Sequence, residues 1–142
     1  MRKKLITIIC ILALISITLL TSCNKYVDGP KFSLLTKKAR LQGNWKIDSY
    51  SVNGIDSTNG SYIRSLGDFE WDTTKDGHYT KKGNQPDAGT WKFGEDKDDV
   101  YFQSTVLNTG EDAHRILRLA SSQLWLQHVE SNGELHVLKL KQ

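Results

Sequence analysis

The chain has 142 residues, with 19 basic and 16 acidic side chains and a formal charge of +3. That length allows one domain with a single ordinary core. Arg2, Lys3 and Lys4 supply the whole excess, so residues 23–142 are formally neutral, which argues against nucleic acid as a partner and against a polybasic grip on anionic lipid.

The chain opens on the basic stretch Met1-Arg2-Lys3-Lys4, followed by the largely apolar run Leu5 to Leu20. That run is shorter than the roughly 20 residues needed to span a hydrocarbon core. A basic start, an apolar run and small residues after it are the layout of an export signal over residues 1–22. The next residues, Leu20-Thr21-Ser22-Cys23, resemble the bacterial lipobox. The resemblance implies that Cys23 becomes the first mature residue and carries a diacylglycerol, with an acyl chain such as palmitate on its amine. The expected location is the cell envelope, on a membrane anchor. Asn24 and Lys25 open no acidic run, so the periplasmic side of the outer membrane is expected. Cys10 and Cys23 are the two cysteines. With one cut away and the other lipidated, no thiol remains for nucleophilic, redox or thiolate-metal chemistry.

Residues 23–31 read as a tether, with Asp28-Gly29-Pro30 breaking any regular structure. The domain is expected over 32–142. Phe32 to Leu41 has helical spacing, with Ser33 or Thr36 as the cap and Gly43 as the stop. Short strand-like runs follow: Asn44–Val52, Asp68–Asp72, His78–Lys82, Gly89–Phe93, Val100–Val106, Ala113–Leu119, Gln123–Val129 and Leu135–Lys141. Asn53-Gly54, Gly83 to Asp87, Glu95 to Asp98, Asn108-Thr109-Gly110, Ser121-Ser122 and Ser131-Asn132-Gly133 separate them. No helix is expected after Leu41. Links this short leave no room for crossover helices, so the fold class is all-β. An antiparallel meander of about eight strands hides its edges best by closing into an up-and-down β-barrel.

Gly43-Asn44-Trp45 opens the first run and resembles the Gly-x-Trp signature at the first barrel strand of lipocalins. Together with the lipobox, the short helix, Gly89-Thr90-Trp91, Leu117-Arg118-Leu119 and Leu124-Trp125-Leu126, the chain over 32–142 is similar to small lipocalin-like bacterial lipoproteins. The resemblance implies an eight-stranded lipocalin-like barrel with the helix over one end and room for one small apolar ligand. It also implies a basic residue of the last strand packed across Trp45. Lys139 and Lys141 are the candidates here, as cation–π partners.

Trp45, Trp71, Trp91, Phe102 and Trp125 all fall in expected strands. Of these, Trp45, Trp91, Phe102 and Trp125 are the candidate ligand wall; a solid aromatic core is the competing reading. Tyr50 and Tyr101 alternate out of phase with Trp45 and Phe102 and are expected to face solvent. The histidines, His78, His114, His128 and His136, show no metal-ligand spacing. His128 and His136 flank one turn and could meet across it, but rim histidines are the commoner case, and no metal or other cofactor is expected. Glu95, Asp96, Asp98 and Asp99 around Lys97, and the Asp72-x-Thr74-x-Asp76-Gly77 stretch, read as turns, since neither has the order of a calcium loop. No nucleophile elbow or phosphate loop is present. The expected function is non-enzymatic binding of a small hydrophobic ligand by a lipid-anchored barrel. The alternative is a solid barrel that docks an envelope protein, as inhibitor or assembly module, through Gly54 to Leu66 and Gly83 to Ala88.

Overall fold

Thr36 starts the first helix among the described residues: its side-chain oxygen accepts the Ala39 N–H at 3.2 Å, and α1 covers Lys37–Leu41. The computed structural model describes residues 26–28, 34–107 and 110–142. Phe32, Ser33, the lipobox and most of the expected tether lie outside them. Nine strands follow α1: β1 (Gly43–Val52), β2 (Ile55–Asp56), β3 (Glu70–Thr73), β4 (His78–Lys82), β5 (Asp87–Phe93), β6 (Asp99–Ser104), β7 (Glu111–Leu119), β8 (Gln123–Val129) and β9 (Leu135–Lys141). A second helix, α2 (Ser61–Leu66), sits between β2 and β3. It corrects the expectation of no further helix. Gly60 caps it without a side-chain bond and its first turn carries no acid, so the usual start signals are missing.

Apart from β2 and β3, strands adjacent in sequence are adjacent in the sheet, all pairings are antiparallel, and β1 also pairs with β3 and β9. β2 only folds back on the end of β1, with Val52 opposite Ile55. The other eight strands close into an up-and-down barrel. Closure leaves each of them paired on both sides, which removes the edges that would otherwise recruit other chains.

Side chains alternate in and out, with two interruptions. The β1–β9 register shifts between Ile47 and Ser49, and the β7–β8 register shifts between Ile116 and Arg118. Each bulge inserts one residue and reverses the phase beyond it. Tyr50 therefore turns inward and is buried, contrary to the expectation that it faces solvent. Gly89 is required where β5 crosses β6, because a Cβ there would lie 2.0 Å from the Gln103 carbonyl oxygen.

One end of the barrel is filled. Leu41 of α1, Trp45, Val100, Leu119, Leu124 and Leu140 are essentially inaccessible, each such side chain contributing about 1.5–3 kcal/mol of burial. Trp45 Nε1 donates to the Leu41 carbonyl at 2.9 Å, and the Thr73 hydroxyl donates to the same oxygen. These bonds satisfy the helix end that a plug would otherwise bury unpaired. Tyr26 closes the same end, packed in the core with its hydroxyl donating to the Lys97 carbonyl at 2.7 Å. Burial pushes its phenol up to about 12.

Candidate functional site at the open end of the barrel

The far ends of the strands carry a different interior. Cα pairing runs Trp71 to Lys81, Lys81 to Asp87 and Phe102 to Asp112, and alternation then points Lys81, Asp87, Asp112 and His114 inward. Across the β7 bulge and the β8–β9 hairpin, His128 and His136 join them, directly opposite each other. Hydrophobic periodicity marks these positions as strand but does not flag a polar interior.

The floor of this mouth is aromatic. Trp71 and Phe102 ring centroids are 4.5 Å apart, Tyr79 meets Phe102 edge-on at 5.5 Å, and Phe69 meets Trp71 edge-on. Lys81 crosses the floor with Nζ 4.5 Å from the Trp71 ring centroid. Burial lowers its pKa, opposed by the charges of Asp87 and Asp112. Asp87 accepts from Tyr79 at 2.8 Å and Ser104 at 2.6 Å. Burial raises its pKa, but these bonds and the Ala88 N–H outweigh burial and leave it below the usual carboxylate range. Burial, then the bond to Asp87, pushes the Tyr79 phenol up.

One wall holds the imidazoles. His114 Nε2 donates to Asp112 Oδ2 at 2.8 Å, and His128 Nδ1 lies 3.4 Å from Asp112 Oδ1. The bond from His114 holds the Asp112 carboxyl below its ordinary range. Asp112, His114 and His128 offer ligand atoms that all lie within 4.8 Å of one another, so they are residues that could hold a metal. On the adjoining strands β9 and β1, Tyr50 Oη and His136 Nδ1 are 2.5 Å apart, and the Tyr62 ring of α2 lies tilted 5.3 Å from Tyr50. Two buried polar atoms here have no hydrogen-bond partner: Trp71 Nε1 and His136 Nε2. An unpaired buried donor costs about 1–3 kcal/mol, which a bound acceptor would recover.

The expected wall residues scatter. Phe102 underlies the mouth. Trp45 lies in the plugged half, as does Trp91, whose Nε1 donates to the Thr74 carbonyl at 3.1 Å. Trp125 is on the outer face, between the inward Leu124 and Leu126. Lys139 stands over Trp125 with Nζ 4.2 Å from its centroid, joined by Arg118 at 5.3 Å. Lys139 thus packs on Trp125, not on Trp45 as expected: both occupy outward positions, paired in register. Lys141 ion-pairs with Asp48 at 2.8 Å instead. Trp71, Lys81, Asp112 and His114 were missed as site residues. The Asp112-x-His114 spacing, which puts both on one strand face, was the available signal.

No family model matches the chain, and no curated protein matches it. Among solved structures the chain is similar to a lipocalin-like protein from Bacteroides uniformis, with a TM-score of 0.50 and 14% sequence identity over 70% of this chain and 97% of that one. The fold is therefore lipocalin-like.

Proposed function

We propose that this chain is a non-enzymatic, lipid-anchored envelope protein that binds one small, largely apolar molecule at the open end of its barrel. The observation that carries the reading is the contrast between the two ends. One is filled by apolar side chains such as Leu41 and Trp45, while the other sets the inward polar groups Lys81, Asp87, Asp112, His114, His128 and His136 above a buried aromatic floor, where Trp71 Nε1 and His136 Nε2 lack hydrogen-bond partners. An apolar body would lie over Trp71 and against Tyr62, with a polar atom of the ligand accepting from one of these donors.

The export layout and Cys23 support the anchor. Only Asn24 and Lys25 lie between Cys23 and Tyr26, a reach of about 11 Å over three Cα–Cα steps. Tyr26 packs at the plugged end, so the anchor would hold that end toward the membrane and turn the mouth away from it. Val27 and Leu34 are exposed at this same end, beside a groove whose lining carries both signs of charge, with Lys37, Lys38, Lys75 and Lys97 facing Glu95 and Asp96.

A second reading has its own observation. Ile55, Tyr62, Val106, Leu107 and Val129 are exposed on segments at the mouth end, and an apolar rim suits an envelope protein partner. Native mass spectrometry of the full-length protein, purified from its own membranes, tests the first reading. A discrete added mass, released by organic solvent and lost in Trp71→Ala, supports it. A mass equal to chain plus anchor in every growth condition gives way to the partner reading.

A further inference from the structure

Asp112 and His114 lie two residues apart on β7, so both side chains point into the barrel. The Leu117 bulge shifts the β7–β8 register by one residue and brings His128 to the same wall. The carboxylate stands between the two imidazoles, with Oδ2 toward His114 Nε2 at 2.8 Å and Oδ1 toward His128 Nδ1 at 3.4 Å.

We propose that Asp112, His114 and His128 bind one divalent transition-metal ion of the Zn2+ class at the open end of the barrel. Metal–ligand bonds of 2.0–2.1 Å at tetrahedral angles place ligand atoms about 3.3 Å apart. One ligand atom from each of the three residues lies within 4.8 Å of the others, so side-chain rotations can bring them to that spacing. Two imidazoles and a carboxylate suit Zn2+ and its neighbours, not Mg2+ or Ca2+. Three protein ligands leave a further position open to the barrel interior.

The surroundings fit a cation. His128 Nδ1 is 3.1 Å from the Ala113 carbonyl. With Nδ1–H donated there, Nε2 keeps its lone pair, the support that metal-binding imidazoles commonly carry. Glu130 Oε1 is 3.9 Å from that Nε2 and could complete the shell or bond to a ligated water. The His114 ring is held edge-on by Phe102 at 5.8 Å. Asp87, Asp112, Glu130 and Glu134 outnumber Lys81 around this end. Binding through His114 Nε2 would move its proton to Nδ1 and exchange the hydrogen bond to Asp112 for bonds to the ion. The site needs no organic ligand, so it and the small-molecule reading fail separately.

The test is calorimetric titration of ZnCl2 into untagged, chelator-treated full-length protein in detergent micelles, repeated with CoCl2 and read by visible absorption. The expected result is one ion per chain and a Co2+ spectrum unlike the hydrated ion. His114→Gln and His128→Gln should each weaken binding by at least about ten-fold, and His78→Gln, at the other end of β4, should not. Asp112→Asn keeps shape and hydrogen bonding while removing the charge. It should also bind weakly while melting close to the parent chain. Absence of saturable Zn2+ binding, or binding that survives loss of both histidines, overturns the proposal.

Discussion

His128 and His136 sit directly opposite each other on the neighbouring strands β8 and β9, yet their rings take different partners. His128 turns to Asp112 and the Ala113 carbonyl, whereas His136 meets Tyr50 with Nδ1 2.5 Å from the phenol oxygen. With Tyr50 donating, His136 is left with an Nε2–H that has no acceptor, since Glu134 is 3.8 Å away. One mouth therefore offers both an acidic imidazole wall and a free imidazole donor.

Tyr50→Phe should cost about 1 kcal/mol, the net worth of one hydrogen bond, because the ring stays buried against Tyr62. Urea unfolding measures it. A loss several times larger would mean that the phenol anchors the whole β1–β9 seam.

Trp45→Ala should cost about 3–5 kcal/mol, as a fully buried aromatic is replaced by a cavity and the Leu41 carbonyl loses its indole donor. Trp125→Ala should cost much less: its ring is on the outer face, and its cation–π contacts with Lys139 and Arg118 are worth about 0.5–1 kcal/mol at an exposed site. Equal losses in denaturant unfolding would contradict the assignment of inner and outer faces.

Much of this was legible in the sequence. The alternation of Trp45 and Ile47, the runs from His78 to Lys82 and from Gln123 to Val129, and the turn residues between them specify strands, and short links specify a meander. The short helix Ser61–Leu66 was not legible, because Gly60 supplies no side-chain cap. Tyr50 was placed on the wrong face because strict alternation carries no information about the shift after Ile47. The same limit hid the metal-ligand set. Asp112 and His114 share a face by spacing alone, but His128 joins them only through a bulge, which is set by tertiary pairing and not by local pattern.

Alkaline pH should weaken the plugged end. Burial pushes the Tyr26 phenol from its ordinary value of 10.0 up to about 12. A folded-state pKa above the unfolded one means that stabilisation is complete below pH 10 and is lost as pH rises through about 12. Tyr79, Tyr50 and Tyr62 are raised as well, also chiefly by burial, so the loss is shared. Tyr26→Phe should be less stable at pH 7, through loss of the Lys97 bond, but should lose less stability between pH 9 and pH 11, a range chosen around that ordinary tyrosine value. Melting curves at the three pH values measure it, and parallel pH profiles for parent and variant would contradict it.

Cys23→Ala should move the protein from the membrane to the soluble fraction, since two or three acyl chains at about 0.8 kcal/mol per buried CH2 supply the anchoring. Immunoblots of fractionated cells measure this. Retention of the variant on the membrane would contradict the lipid anchor and implicate the Val27 and Leu34 end or a protein partner.

The four indole N–H signals test the central claim most directly, because the four tryptophans report on separate places. Trp71 is at the mouth, Trp45 and Trp91 are in the filled half, and Trp125 is outside. The measurement is a nitrogen–proton correlation spectrum of the full-length protein in micelles, recorded before and after adding an organic extract of the producing cells' envelope. A ligand at the open end predicts a shift of the Trp71 indole signal while Trp45, Trp91 and Trp125 stay in place. No indole shift, or shifts confined to Trp45 and Trp91, would contradict a binding site at this end of the barrel.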